Sequence, residues 1–151
     1  MAMPVAELRE KFLGDVYDSI QVVAEPHKLL DFARACGETD PRYVDPKNSD
    51  FQAPVNFCSQ FHGGRMLPEG FPKFDMRIMI DAGKAVYWHA PVRAGDKLTA
   101  SSRLHDIYEK TGRGGTMLFL VHRMDFRNAA NELVAVVDWR LILRGGLEGK
   151  A

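Results

Sequence analysis

The stretch TMLFLVHRMDFRNAANELVAVVDWRLIL, residues 116–143, reads as two β-strands and the turn that joins them. In its second half Leu133, Ala135, Val137, Trp139, Leu141 and Leu143 fall on alternate positions, so all six share one face of a strand. Asn128 and Asn131 mark the turn, because Asn competes for backbone hydrogen bonds and tolerates left-handed geometry. Two more β-like segments come before it. Residues 84–90 end at Pro91 and the turn Ala94-Gly95-Asp96. Residues 98–108 place Leu98, Ala100, Leu104 and Tyr108 on one side and Thr99, Ser101, Arg103 and His105 on the other, before the chain turns over 110–115. The apolar face of such a sheet has to be covered, and helical patterns lie only in the first half of the chain.

There a strand is expected over 16–24, with Val16, Ile20 and Val22 on one face. Pro26 stops it and opens an amphipathic helix over 26–36, carried by Leu29, Leu30, Phe32, Ala33 and Cys36 and ended by Gly37. A loop follows at 37–41, since Thr39 and Asp40 compete for backbone hydrogen bonds and the residue before Pro41 is pushed out of helical geometry. A second helix is expected from Pro54, turning Val55, Phe57, Cys58 and Phe61 inward until Gly63-Gly64 breaks it. Between Gly63 and Gly83 no period dominates, and the segment reads as a loop. The expected class is α+β, antiparallel strands over helix, in one domain spanning 1–151.

Composition narrows the function classes. Twenty basic residues balance twenty acidic ones, so there is no overall field to hold a nucleic-acid backbone or an anionic membrane. The longest aliphatic run, 133–137, is far short of the ~20 residues of a membrane span. Glu7, Arg9, Glu10 and Lys11 interrupt the N-terminal region, unlike the apolar core of a secretory signal, and a cytoplasmic location is expected. Cys36 and Cys58 have neither metal-ligand spacing nor the density of a disulfide scaffold; both are expected to be small buried residues, with no metal site and no cofactor.

Two segments carry a family resemblance. Phe32-Ala33-Arg34-Ala35-Cys36-Gly37-Glu38-Thr39-Asp40-Pro41-Arg42-Tyr43-Val44-Asp45 and Ala90-Pro91-Val92-Arg93-Ala94-Gly95-Asp96-Lys97-Leu98 resemble, in order, the two signatures of MaoC-like hydratases and dehydratases. Residues 107–113 and 131–135 resemble more narrowly the N-terminal MaoC dehydratase, or fatty-acid-synthase-like dehydratase, domain. The resemblance implies the hot dog fold, a curved antiparallel β-sheet wrapped around a central helix. It also implies reversible hydration of a trans-2-enoyl thioester of CoA or acyl carrier protein. In active members an Asp, and a His five residues later, share a water for general acid/base work, while a backbone N–H at a helix start polarises the carbonyl.

Here the Asp position carries Glu38 and the His position carries Tyr43. Glu is one methylene longer, and a phenol with a reference pKa of about 10 is neutral at pH 7. The pair therefore reads as degenerate, as the resemblance implies for domains that sit beside a catalytic MaoC-like partner. Substrate-binding candidates are Asp40, Asn56, Phe57, His62 and His89. The plainer alternatives are loop capping for Glu38, Asp40 and Asn56, packing for Tyr43, and core or surface positions for His62 and His89. His105 and His122 are assigned to the sheet surface, and Phe71, Phe74 and Met76 are expected to line an apolar acyl tunnel. The favoured function is the non-catalytic, substrate-binding half of an enoyl-thioester hydratase, as a homodimer or a heteromer with a catalytic chain. The alternatives are a self-sufficient (R)-specific enoyl-CoA hydratase using Glu38 with a histidine from elsewhere and, on fold analogy alone, a hot dog acyl-CoA thioesterase.

Overall fold

Alternating apolar positions in the second half of the chain build long strands, and in the computed structural model, which describes residues 2–150, they form one sheet. Its strands are β1 (Asp18–Val23), β2 (Met79–Trp88), β3 (Lys97–Gly112), β4 (Gly115–Arg127) and β5 (Leu133–Arg144). The order is β1-β3-β4-β5-β2, antiparallel throughout, which leaves β1 and β2 at the edges. Three helices precede most of the sheet: α1 (Val5–Phe12), α2 (Pro26–Ala35) and the single turn α3 (Pro41–Val44). Short 3-10 turns occur at Phe57–Gln60, Met76–Ile78 and Gly146–Glu148. Among the described residues no helix is long and apolar enough to cross a membrane.

The inner face of the sheet covers two separate cores. In the first, Leu29 and Ala33 of α2 pack with Phe57 and Cys58 on Leu98, Ala100, Met124, Phe126, Ala135 and Val137. In the second, Leu8 and Phe12 of α1 pack with Ile78 on Leu104, Ile107, Leu118, Leu120, Leu141 and Leu143. Each fully buried Leu or Phe contributes about 1.5–3 kcal/mol. Val5, Leu8 and Phe12 lie about one helical turn apart, which turns all three towards this core.

A polar band runs between the two cores. Asp18 pairs with Ser102 across β1 and β3, while His122, Trp139 and Lys84 are cross-strand neighbours on β4, β5 and β2. The band grips the chain that crosses above it. Lys84 Nζ donates to the carbonyls of Ser59 (2.7 Å) and Phe61 (3.3 Å), the Arg65 amide donates to Asp18 Oδ2 (3.1 Å), and the Tyr17 hydroxyl donates to the Met66 carbonyl (2.9 Å). Those bonds explain why the helix expected from Pro54 is only the four-residue turn Phe57–Gln60: side chains of the sheet take carbonyls that a longer helix would need. The helical cover is thus divided into pieces, the longest being the ten residues of α2.

Other expectations need local correction. Val16 lies outside β1 and is 57% exposed instead of facing the core. A β-bulge between Leu104 and Asp106 reverses the alternation in β3, so Ile107 points inward and Tyr108 stacks outside on Phe119 with ring centroids 4.8 Å apart. The edge strand begins at Met79, five residues before the expected start, and a second irregularity at 81–84 lets its two halves keep register with β5. Met66, Leu67, Phe71 and Phe74 pack onto the second core and Met76 is 54% exposed, so this segment closes the core and lines none of the cavities described below. Cys58 is buried as expected, with its thiol pushed up to about 12 by burial, whereas Cys36 is exposed.

Candidate functional site

The signature loop is built by the end of α2. Gly37, at φ +74°, turns the chain left-handed, its amide donates to the Arg34 carbonyl, and the Glu38 amide donates to the Ala33 carbonyl. Two residues later Asp40 caps α3: its carboxylate accepts from the Arg42 amide (2.9 Å) and takes the Arg42 guanidinium as a fork at 2.7–3.2 Å. The bonds from Arg42 hold the Asp40 carboxyl below the usual carboxylate range. Asp40 is therefore a cap and a partner of Arg42. Tyr43 is half-buried, with the Arg42 guanidinium 5.4 Å from its ring centroid. No hydrogen bond joins Glu38 to Tyr43 among the described residues.

The loop rests on the segment 51–57. The Gln52 amide donates to the Arg42 carbonyl, and Asn56 Nδ2 lies 3.8 Å from Cys36 Sγ. Asn56 is exposed and starts the 57–60 turn without a side-chain cap. Phe57 is 1% exposed, packs edge-on against Phe32 and Phe61, and spends its amide on the Pro54 carbonyl. An amide already donating within a turn has no hydrogen left for a substrate carbonyl.

Beside the loop lies a groove of about 470 Å³ between α2 and the 57–60 turn. Phe32, Ala35 and Phe61 give it an apolar wall, and His27, Lys28 and Asp31 give it a polar one. Of the two histidine candidates, His89 lies on the other face of the sheet, in a shallow depression with Tyr87, Arg123 and Val136, so the sheet separates it from Glu38. His62 does reach the inner side, with its ring 5.2 Å from Trp139, edge to face. There it lines a small cavity with Phe61, Lys84, His122, Met124, Val137 and Trp139. Burial first, and then the nearby Lys84 charge, depress His62 below the ordinary imidazole range.

His122 is not on the sheet surface. It is 2% exposed on the inner face, and burial followed by the Lys84 charge pushes it down to about 4, so it is neutral at pH 7. Its signal was legible, because it shares the parity of Leu118, Leu120, Met124 and Phe126. Asp81 accepts from Trp139 Nε1 (2.9 Å) and the Gly83 amide (2.8 Å), which fixes the indole over the same cavity. Lys84 and Asp81 carried no sequence signal of their own, whereas Trp139 falls on the inward face expected for the strand over 133–143; the sheet register brings the three together.

A family model described as the FAS1-like, dehydratase domain region matches residues 11–137. The chain belongs to this MaoC-like dehydratase family. It is 27% identical over 154 residues to a UPF0336 protein of Streptomyces avermitilis, covering 94% of this chain and 99% of that one. Its fold is similar to that of a MaoC-like dehydratase from Rhodospirillum rubrum, with a TM-score of 0.64, 19% identity, and 95% and 98% of the two chains covered. It is also similar to a chain of the HadBC (3R-hydroxyacyl-ACP dehydratase) complex from Mycobacterium tuberculosis, with a TM-score of 0.60, 20% identity, and 85% and 98% covered. The five-stranded antiparallel sheet with few helices is the hot dog fold of these dehydratases.

Proposed function

We propose that this chain is the non-catalytic, substrate-binding half of a cytoplasmic enoyl-thioester hydratase or 3-hydroxyacyl-thioester dehydratase, paired with a MaoC-like chain that carries an intact Asp/His pair. The observation that carries this reading is the signature loop. Its acid/base positions hold Glu38 and Tyr43, which are not hydrogen-bonded to each other, and its remaining carboxylate, Asp40, is tied up by Arg42. Water addition needs a base that titrates near neutral pH and a second group to orient the water, and the loop provides no imidazole. The α2 groove supports a binding role, since an apolar wall beside a few polar groups suits the acyl and pantetheine parts of a CoA or acyl-carrier-protein thioester. Membership in a family with heteromeric relatives such as the HadBC complex supports the partner.

The test is turnover of crotonyl-CoA by the purified chain, alone and mixed with a MaoC-like chain bearing the intact pair. The chain alone is expected to give only trace hydration, since loss of general acid/base catalysis costs roughly 100- to 10,000-fold, and the mixture is expected to restore it. Rapid turnover by the chain alone, abolished by Glu38→Gln, would replace this reading with the self-sufficient one.

A further inference from the structure

On the outer face, at the end of the sheet where β3 turns into β4, the register sets Tyr108, Phe119, Ile142 and Ile80 side by side on β3, β4, β5 and β2. None of the four belongs to either core, and each keeps part of its side chain open. Neighbouring strands lie about 4.8 Å apart, so the row is an apolar stripe about 14 Å long that runs across the strands. Cations flank it on both sides. Lys110, Met117 and Arg144 form the next row towards the turn, with the Lys110 ammonium 5.6 and 5.5 Å from the Tyr108 and Phe119 ring centroids. On the opposite side Val121 pairs with Arg140. At the centre of the same face Arg103 and Arg123 each have a carboxylate, Asp125 and Asp138. Around the stripe, by contrast, none of Lys110, Arg140 and Arg144 forms an ion pair among the described residues, and Asp106, opposite Val121 on β3, is taken by Arg9.

We propose that this end of the outer face is a docking site for an amphipathic helix of a partner protein, one whose apolar stripe is flanked by Asp or Glu. Arg144 and Arg140 stand four residues apart on β5, about 13 Å, with Ile142 midway between them. A helix with its side chains is about 10–12 Å across, so one lying along the stripe sets its two flanks against the cations. A stripe of about 14 Å takes about nine residues of helix, enough for three apolar anchors at three- and four-residue spacing. Charge selects among the possible occupants. A second copy of the same face would set these cations against one another. A bilayer suits side chains that protrude, whereas Tyr108, Phe119 and Ile142 lie partly buried on the sheet and present a shallow seat. The partner is thus acidic where this face is basic. Such docking occupies a face, leaves the β2 edge open for strand pairing, and holds whether or not the chain is half of a hydratase.

The probe is a fluorescein-labelled peptide of about 18 residues, long enough to hold a helix, with Leu along one stripe and Glu on both flanks; its twin carries Lys in place of Glu. Anisotropy with the full chain is expected to show the Glu peptide binding at least about tenfold more tightly than the Lys peptide. The double substitution Lys110→Glu and Arg144→Glu, at two exposed positions outside both cores, should reverse that preference. Phe119→Ala should weaken the Glu peptide by about tenfold. Equal binding of the two peptides, no binding of either at about 100 μM, or a preference that survives the charge reversal would overturn the proposal. Failure of the Glu peptide together with sedimentation on phosphatidylserine vesicles, lost on the same charge reversal, would overturn it too and give the face to a lipid surface.

Discussion

Glu38 and Asp40 are two residues apart on one loop, yet only Asp40 has a defined local job, capping α3 and holding Arg42. A cap of this kind was legible in Asp40-Pro41, a capping residue before a proline suited to the first helical turn. His122 was equally legible by parity and was misplaced because a histidine in a charged strand reads as a surface residue. Its burial has a pH consequence with a definite sign. The folded state holds the imidazole near 4 while the unfolded chain holds it near the usual value of about 6.5, so in that window the unfolded state binds more protons. Stability is therefore fully present above about pH 6.5 and falls as the pH drops towards 4, by about 3 kcal/mol in total from this residue. Urea unfolding at pH 7 and pH 5 should show a larger loss for the native chain than for His122→Leu. Equal losses in both would mean that His122 is not held neutral by the fold.

Elements with one strong period were read correctly: the helix expected over 26–36 is α2 at Pro26–Ala35, and the strands over 116–126 and 133–143 are β4 and β5 with small extensions. Elements shaped by distant partners were not. Nothing in residues 54–66 announces that Lys84 and Asp18 will take their backbone groups, so a helix was expected where a short turn and an extended crossing occur. The β3 bulge at His105 is likewise invisible in an alternation that is regular on both sides of it. The crossing segment makes one close approach. A Cβ on Gly63 would stand 2.6 Å from Asp18 Oδ2 and 2.9 Å from Ser102 Oγ, whereas on Gly64 the nearest atom is at 3.6 Å. Asp18 cannot move away freely without giving up the Arg65 amide, and Ser102 is buried. Gly63→Ala should therefore destabilise the fold by about 1–3 kcal/mol, the usual cost of overpacking, while Gly64→Ala should stay close to the native value. Equal chemical-denaturation midpoints for the two variants would remove this account of the crossing.

The two faces of the sheet differ. On its outer face Arg123 binds Asp138 through two hydrogen bonds of 2.6 and 2.8 Å, and Arg103 pairs with Asp125 beside it, so the centre of that face is polar and internally satisfied. Towards the far end of the sheet Met117 and Phe119 stay partly exposed on the outer face, opposite the buried Leu118 and Leu120, as expected for a sheet that hides only one side. The β2 edge is apolar at several points: Ile80 is 41% exposed, Tyr87 47% and Trp88 44%. An edge strand offers unpaired backbone donors and acceptors, and aromatic side chains beside them make it a natural seat for another strand. Proteins that stay monomeric usually guard such an edge with charge, and Lys84 does not, because its ammonium is directed inward to Ser59 and Phe61. The proposed pairing with a second hot dog chain should therefore use β2. Light scattering at micromolar concentration should report a dimer, either of this chain or with its MaoC-like partner. The double substitution Tyr87→Lys and Trp88→Lys should shift it to monomer while circular dichroism stays native, because both side chains are exposed and contribute little to either core. A native chain that remains monomeric with and without the partner would exclude assembly altogether. A variant that remains dimeric would move the interface away from β2, with the exposed end of the outer face around Phe119 and Tyr108 as the next surface to alter.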